Sequence, residues 1–527
     1  MYKSGKNKPK NINIKMKAAV NAEEQQQFTM SKNLEENLSK IKKFLNNSFD
    51  ISVRRFRIAG SHVEAAIVFI DSLSKEDTIL EYIMKPLMRG CLSITDKPDK
   101  EIDIQMIKDT LVTSGQIGEW DSFDKTILEV LSGNTLLVIN GLDKGITINT
   151  REAPGRSIDE PKAEQSVKGP REAFVENLKD NIGLLRKRLK DPNFTFEMRK
   201  IGRRAKADVI IAYIKGIADE DIVKEVRKRL SSVDIDDGVA AGQIEHLISD
   251  HPNSIFPLIQ STERPDKAIA GVLEGRVAII IDGTCSVLIV PATFAILMQS
   301  VDDYNEKWII GSVIRLGRYA AFFTSALLPG LYIAATSFHP GILPTNIMLS
   351  IAGTRQGIPF PAFIEAFLMI AVLELLLEAG IRLPKAVGQT VSIVGGLVIG
   401  QAAVEAGIIS PVLLIVVSVT AISSFVIPNY SLGLTSRIVR VPFMIIATIL
   451  GAVGTSLVLL ALLGYTASLK SFGVGYLEPI APYHLRDWKD TLIRGPQKVF
   501  DKRPEFLSPE DTQRQNVRKG GGSRESK

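Results

Sequence analysis

The distribution of apolar positions divides the chain into two parts. In residues 1–275, apolar runs of strand length alternate with charged stretches of helical period, whereas from about 277 to 469 the charges thin out and the apolar runs lengthen. Several of the later runs approach the roughly 20 apolar residues that a membrane-spanning helix needs. The pattern predicts an α/β N-terminal region, which we expect to be cytosolic, followed by an α-helical transmembrane domain.

A duplication is visible in the first part. The passages ISVRRFRIAGSHVEAAIVFIDSLSKEDTILEYIMKPL (from Ile51) and FTFEMRKIGRRAKADVIIAYIKGIADEDIVKEVRKRL (from Phe194) both predict strand, turn, strand, loop and helix. A second pair follows at nearly the same offset, VLSGNTLLVINGLDKGITI (from Val130) and VLEGRVAIIIDGTCSVLIV (from Val272). The implied equivalences are Ile70 with Ile214, Asp77 with Asp221, Gly133 with Gly275 and Gly141 with Gly283. We therefore expect two related subdomains.

The pairs Asn140-Gly141 and Asp282-Gly283 lie between apolar runs and predict β-hairpins with type I′ turns, which need positive φ at both central residues. The apolar stretch VAIIIDGTCSVLIVPATFAILM is therefore expected to begin as sheet, although its hydropathy alone would suit a membrane span. The second subdomain is predicted to add a helix, PREAFVENLKDNIGLLRKRLK. Its face with Asn177, Asn181 and basic residues is either a solvated surface or a docking face for another subunit.

Five apolar segments predict membrane spans, at about 315–338, 363–384, 387–406, 408–428 and 441–468. The positive-inside rule leaves the loop 339–360, with only Arg355, outside. It places in the cytosol the basic residues that flank the spans, which are Arg315, Arg318, Arg382, Lys385, Arg437 and Arg440. Five crossings would put the basic C-terminal tail outside. The third and fourth segments are almost without a loop between them, and a re-entrant segment there would leave four crossings and return the tail to the cytosol. The sequence leaves four or five spans open.

The resulting domains are a basic disordered tail (1–32), subdomain 1 (33–155), subdomain 2 (156–295), the transmembrane domain (296–470) and a C-terminal cytosolic segment with a basic tail (471–527). The net charge is +6, concentrated in the two tails, which are either solvated or in contact with an anionic leaflet. The two cysteines, Cys91 and Cys285, suit a reducing compartment.

The second predicted span carries acids, which are costly in hydrocarbon. Glu374, Glu378 and Arg382 are spaced four residues apart and share one helix face, while Glu365 lies opposite in the first turn and is expected at the interface. Arg382 can reach the cytosolic edge and pair with Glu378. Glu374 remains as the deep carboxylate, either in a structural pair or hydrogen-bond network, or as a residue of ion conduction or gating.

The third predicted span is rich in glycine and alanine, and Gly396 and Gly400 form a GxxxG motif. Small residues of this kind favour close helix packing. The same smooth face suits a pore, with Gln401 and Glu405 among the residues that supply polarity.

No catalytic constellation is apparent. The chain has no GxxxxGK, HExxH or CxxC motif. We therefore expect no enzyme activity, no cofactor and no metal site, and no nucleic-acid partner.

Five stretches, taken in order, resemble the A-subunit family of spore germinant receptors (GerA family). They are GPREAFVENLKDNIGLLRKRL, STERPDKAIAGVLEGRVAIIIDG, LPGLYIAATSFHPGILPT, LLLEAGIRLPKAVGQTVSIVGGLVIGQAAVEAG and PYHLRDWKDTLIRGP. The resemblance covers roughly residues 35–505. It departs from the family at Cys285, where the family often has proline.

The resemblance implies a multi-pass protein of the spore inner membrane that acts with a transporter-like B subunit, which carries the nutrient site, and a lipoprotein C subunit. It further implies a homo-oligomeric, nutrient-gated channel for monovalent cations, with the A subunit forming the pore. By this analogy Gln401, Val404 and Glu405 are the leading pore residues. The alternatives are a non-nutrient paralogue that amplifies germination, a secondary transporter and a scaffold. Against the transporter, we find no inverted repeat in the spans.

Overall fold

The computed structural model describes residues 29–59, 63–89, 105, 107, 116–151, 160–161, 164–238, 240–384 and 398–515. The chain forms two compact units, one of residues 1–153 with 190–192 and one of residues 154–189 with 193–527. The second subdomain, the apolar helices and the C-terminal segment thus belong to one unit. Cys91, most of the basic N-terminal tail and the last twelve residues lie outside the described residues.

The first unit is an antiparallel sheet covered by helices on both faces. Its strands are β1 (Ile51–Arg57), β2 (Glu64–Ile70), β3 (Ile117–Trp120), β4 (Thr135–Ile139) and β5 (Gly145–Ile148), in the order β1-β2-β4-β5-β3. Its helices are α1 (Leu34–Phe44), α2 (Glu76–Ile79, continued by Leu80–Met84 and Lys85–Arg89) and α3 (Phe123–Leu131). Alternate residues of β2 pack toward opposite helical layers, which is why this strand is a continuous apolar run.

The second subdomain repeats this arrangement. Its strands are β6 (Phe194–Ile201), β7 (Ala207–Ile214), β8 (Gln260–Thr262), β9 (Val277–Ile281) and β10 (Val287–Val290), in the order β6-β7-β9-β10-β8. Its helices are α4 (Leu178–Arg188), α5 (Glu220–Ser232), α6 (Ala241–Ile248), α7 (Pro265–Glu274), α8 (Phe294–Leu297) and α9 (Asp302–Asn305). The shared strand order confirms the predicted duplication, and β9 and β10 confirm that the apolar stretch from Val277 begins as sheet.

The predicted type I′ turns are wrong. Gly141 and Gly283 have positive φ (93° and 80°), but Asn140 and Asp282 are not among the positive-φ residues of the described chain. Each hairpin instead has a five-residue connection that docks on the helix preceding the sheet. The Oδ1 atoms of Asn140 and Asp282 accept the amide N–H of Leu34 and Leu178, at 3.2 and 3.3 Å.

Helix α4 is not an addition, because α1 is its counterpart. Asn33 and Asn177 cap the two helices in the same way, each side chain accepting two backbone N–H groups of the first turn. The expected solvated or docking face of α4 is also wrong in part, since Asn181 and Arg186 are fully buried. Arg186 stacks on the rings of Phe194 and Phe196, 5.4 and 4.8 Å from their centroids.

The apolar region is a bundle of helices that begins and ends at the second subdomain. Its helices are α10 (Trp308–Ser337), α11 (Thr345–Arg355), α12 (Ala362–Arg382), α13 (Gly400–Glu405), α14 (Pro411–Phe425) and α15 (Tyr430–Ser468). In the described chain, α10 and α15 are long and apolar enough to cross a membrane, and α14 is a shorter apolar helix. We call the end of the bundle at the second subdomain the near end and the opposite end the far end.

Helix α15 is a hairpin of two arms, 430–450 and 452–468, joined at Gly451. Gly451 has φ 60° and ψ −142°, which no helix permits. A methyl group on Gly454 would lie 2.9 Å from the carbonyl oxygen of Ile446, although eight residues of straight helix span about 12 Å. Accordingly, Thr435 of the first arm contacts Ile255 of the second subdomain, and Tyr465 of the second arm contacts the next residue, Phe256. The segment predicted as one span at 441–468 is therefore a hairpin that starts eleven residues earlier.

The C-terminal segment is folded through Gln515 onto the second subdomain, so of the two alternatives for this tail the solvated one is wrong for these residues. Its hairpin of β11 (Lys470–Ser471) and β12 (Val474–Gly475) follows α15 directly. The Ser471 hydroxyl donates to the carbonyl of Leu258 (2.6 Å) and accepts the amide of Ala292 (3.0 Å). The Arg503 guanidinium donates to the carbonyl of Leu273 (2.9 Å).

Candidate functional site: polar residues of the helical bundle

A buried carboxylate lies at the far end of the bundle. Glu365 accepts a hydrogen bond from Arg355 (3.0 Å) and from the backbone N–H of Ser410 (3.1 Å). Its side chain is fully buried, and Tyr332 contacts the Ser410 hydroxyl at 3.2 Å. Arg355 and the first turn of α14 thus enclose Glu365 within the protein, and its expected position at the membrane interface stays a prediction. The sequence showed Arg355 only as the single cation of an external loop, so this pairing was missed.

Glu374 lies further along α12, between two arginines of the first arm of α15. Its carboxylate oxygens are 3.6 Å from Arg437 Nη1 and 3.6 Å from Arg440 Nη1. Both arginines were expected in a cytosolic loop, and the structure places them inside a helix instead. Arg440 is buried because its Nε donates to the carbonyl oxygen of Ser325 at 2.8 Å, a partner 115 residues away.

Glu378 and Arg382 lie one and two turns beyond Glu374 on the same helix. Arg382 Nε donates to Glu378 Oε1 at 2.8 Å, and both side chains are largely exposed. The pair therefore lies on the outside of the bundle. It links the last two turns of α12 and takes no part in the packing of this helix against its neighbours.

The described part of the third predicted span is helix α13; residues 385–397, including Gln389, Thr390 and Gly396, lie outside the described residues. Gln401 and Glu405 are exposed and hydrogen-bonded to each other at 2.9 Å. Val404 is half-buried and packs in the cluster at the far end. Gly400 lies against Leu414 of α14, where a methyl group would be 3.1 Å from Leu414 Cδ1. The helix thus packs through its small and apolar residues and leaves its polar residues uncovered.

A buried charge network joins the near end of the bundle to the soluble part. Asp303 accepts from Arg315 (3.1 Å) and Arg318 (2.5 Å), and Arg315 also donates to Asp490 of the C-terminal segment (2.9 Å). Burial raises the pKa of Asp490 to about 6, against the opposing effect of Arg315. The sequence indicated Arg315 and Arg318 only as cytosolic cations, because their partners are acids of loops and short helices.

No group of three or more His, Cys, Asp or Glu side chains within the described ranges is arranged to hold a metal ion. Long apolar helices, with their few charges organised in pairs and networks, are the features of a membrane protein.

Comparison with known proteins identifies the family. The family model described as "Bacillus/Clostridium GerA spore germination protein" matches residues 39–506. The chain is 43% identical to spore germination protein B1 of Bacillus subtilis (strain 168) over 486 residues, which are 92% of this chain and 99% of that protein. It is 40% identical to the uncharacterized membrane protein YfkQ of the same organism, over 92% of this chain and 93% of that protein.

A solved structure also matches, the crystal structure of the N-terminal domain of the A subunit of the Bacillus megaterium spore germinant receptor GerK3. The two sequences are 33% identical, and the match covers 50% of this chain and 97% of the solved chain. The superposition has a TM-score of 0.41.

The chain belongs to the GerA spore germination protein family, the family of germinant receptor A subunits. The resemblance noted in the sequence is thereby confirmed. The family is not enzymatic and its relatives include a membrane protein, so the predictions of a non-enzymatic membrane protein are confirmed as well.

Proposed function

We propose that this chain is the channel-forming A subunit of a nutrient germinant receptor in the spore inner membrane, with its N-terminal region in the cytosol. In this proposal it assembles with further copies of itself, with a transporter-like B subunit and with a lipoprotein C subunit, and it conducts monovalent cations when nutrient binds. Membership of the GerA family supports the receptor assignment, and the bundle supplies the argument for a channel.

The observation that carries the channel is the uncovered polar face of α13. Exposed amide and carboxylate groups at membrane depth are costly unless they face water or another protein surface. Gln401 and Glu405 satisfy each other only in part, while the glycine and alanine face of the helix is packed or available for close approach. A ring of copies that places these two residues toward its axis would give both of them a hydrated environment.

The path of the chain supports the cytosolic orientation of both ends. The chain leaves the second subdomain at Trp308 and returns to it at Leu469, where Ser471 and Phe472 bond to residues 250–292. A chain that starts and finishes on one side of a membrane crosses it an even number of times. This favours a cytosolic C-terminal segment, in agreement with the positive-inside rule for its arginines.

The pore assignment is tested by ion release from spores that carry this chain with its B and C subunits and no other A subunit. We expect Glu405→Gln and Val404→Ala to change the rate or nutrient dependence of potassium release, with the complex still assembled. The matched control is Leu460→Ala, because Leu460 is an exposed apolar residue on the second arm of α15, outside α13. Unchanged release in both α13 variants, with normal assembly, would contradict the pore assignment.

The oligomer is tested by cysteine cross-linking in membranes. With Cys91 and Cys285 replaced by serine, Gln401→Cys is expected to form disulfide-linked copies because equivalent residues approach at the axis. Leu460→Cys is the control and should remain monomeric. Efficient cross-linking of the control, or none at residue 401, counts against a ring lined by α13.

A further inference from the structure

The three charges at Glu374, Arg437 and Arg440 do not satisfy one another. Both carboxylate–guanidinium separations are 3.6 Å, longer than a hydrogen bond, so the groups attract without sharing a proton. Two positive charges face one negative charge, which leaves an excess of one positive charge. Arg437 also lies over the ring of Phe425, 5.8 Å from its centroid, which fixes its position without neutralising it.

The guanidinium of Arg440 is the group with unused hydrogen-bonding capacity. Its side chain is 1% exposed, and its Nη1 and Nη2 atoms have no hydrogen-bond partner among the described residues. The Nε atom of Arg437 is buried and lacks a partner in the same part of the chain. Buried guanidinium N–H groups without an acceptor are costly, and each arginine presents a planar fork that matches a phosphate.

The cluster of Glu374, Arg437 and Arg440 lies close to the end of the bundle that contacts the second subdomain. Thr435, five residues before Arg440, donates to the Ile255 carbonyl of the second subdomain at 2.5 Å. Five residues of helix rise about 7.5 Å. The headgroup layer is of comparable thickness, about 5–8 Å on each side of the hydrocarbon. The cluster is open on the side of Glu374, whose side chain is 38% exposed.

We propose that Arg437 and Arg440 bind the phosphate of an anionic phospholipid of the cytosolic leaflet, with Glu374 setting the affinity by partial neutralisation. The phosphate supplies the acceptor oxygens that the buried guanidinium lacks and cancels the excess positive charge. A lipid is favoured over a free anion because the opening is at headgroup depth on the outside of the bundle. The site does not include Gln401 or Glu405, so a negative result here would not contradict the proposed channel.

The test uses the full-length chain in neutral detergent at constant ionic strength, with the unfolding temperature as the readout. Dihexanoyl-phosphatidylglycerol is the probe, dihexanoyl-phosphatidylcholine is the zwitterionic control and inorganic phosphate is the free-anion control. We expect saturable stabilisation by the glycerol lipid alone. Equal stabilisation by the choline lipid, none by any probe, or the same shift with inorganic phosphate would each overturn the lipid assignment.

The variants assign the effect to the cluster. Arg437→Gln should raise the lipid concentration for half-maximal stabilisation by at least about tenfold, the usual effect of losing hydrogen bonds to a charged group. Arg437→Lys keeps the charge but loses the fork and should fall in between. Lys470→Gln removes an exposed cation at the same membrane–water junction and should leave the concentration unchanged. An equal effect of Lys470→Gln and Arg437→Gln would show a diffuse surface attraction and overturn the site.

Glu374→Gln separates the proposal from a merely structural ion pair. If the carboxylate competes with the lipid phosphate, its removal makes the cluster more positive and lowers the half-maximal lipid concentration. If Glu374 only holds the arginines in place, its removal weakens or abolishes the lipid response. The second result would overturn the proposed role of the cluster.

Discussion

Asn37 and Asn181 close the same two hydrogen bonds at equivalent positions of the two subdomains. The Asn181 side chain accepts from the N–H of Val175 at 2.8 Å and donates to its carbonyl at 2.6 Å. Asn37 makes the corresponding pair with the N–H (2.8 Å) and carbonyl (2.5 Å) of Ser31. Both asparagines are fully buried. Each therefore fastens the extended segment before a helix to that helix, and the duplication extends to this detail.

Asn181→Ala is expected to destabilise the chain by about 1–3 kcal/mol, because it removes the partners of both backbone groups of the half-buried Val175. The measurement is the unfolding temperature of the full-length chain in detergent. Lys228→Ala, at an exposed position of α5, is the control and should change stability by less than about 0.5 kcal/mol. Equal stabilities of the two variants would mean that water replaces the lost amide.

Asp303→Asn should be more damaging than loss of an exposed ion pair. It removes the single carboxylate that faces both Arg315 and Arg318, whose side chains are almost fully buried. An uncompensated buried charge costs about 3–5 kcal/mol. Glu505→Gln, which breaks the exposed pair with Arg486, is the control and should cost less than about 1 kcal/mol. The measurement is the yield and unfolding temperature of the two variants prepared in the same way. Equal values for both would contradict the prediction.

The sequence predicted those features that depend on local pattern. The duplication is visible because strand periodicity and turn glycines recur at a constant offset, and the resulting sheets have the same strand order. The counterpart of α4 was missed although Leu34 and Lys43 of α1 recur as Leu178 and Lys187, beside the capping and buried asparagines, Asn33 and Asn37. Those two positions recur as Asn177 and Asn181, so the signal was present but short.

The partners of the intramembrane charges could not be predicted in the same way. Arg440 is drawn into the bundle by the carbonyl of Ser325, and Glu365 is enclosed by Arg355 and Ser410. Such contacts depend on the packing of helices far apart in sequence, which hydropathy does not report. The hairpin at Gly451 was hidden for the same reason, since a long apolar run has no polar turn to mark its middle. The roles of Gln401, Val404 and Glu405 remain predictions.

Glu245 predicts a pH dependence of stability. Burial raises its pKa to about 7 from an ordinary value of 4.5, and it lines a cavity of about 220 Å³ with His246 and His251. Between these pH values the folded chain retains a proton that the unfolded chain has lost, so the free energy of unfolding falls as pH rises through this window. Glu245→Gln should remove this fall and be the more stable protein at pH 8, by about 1–2 kcal/mol. Parallel stability curves of the two proteins from pH 4.5 to 8 would contradict it.

Gly451→Ala is expected to disrupt the hairpin of α15, whereas the same substitution at Gly464 is expected to be harmless. At Gly451 the backbone has φ 60° and ψ −142°, which L-residues strongly disfavour, and a methyl group would lie 2.8 Å from both Phe338 Cβ and His339 Cε1. We expect a loss of about 3 kcal/mol or more from strain and overlap together. Gly464 lies in the second arm, where a methyl group meets no atom within 4 Å, so alanine should be neutral or stabilise the helix by up to about 1 kcal/mol.

Unfolding temperatures give the energies, and cross-linking between cysteines at Val439 and Leu462 reports whether the two arms still lie side by side. If Gly451→Ala keeps both its stability and this cross-link, the reversal of the chain does not depend on glycine at that turn.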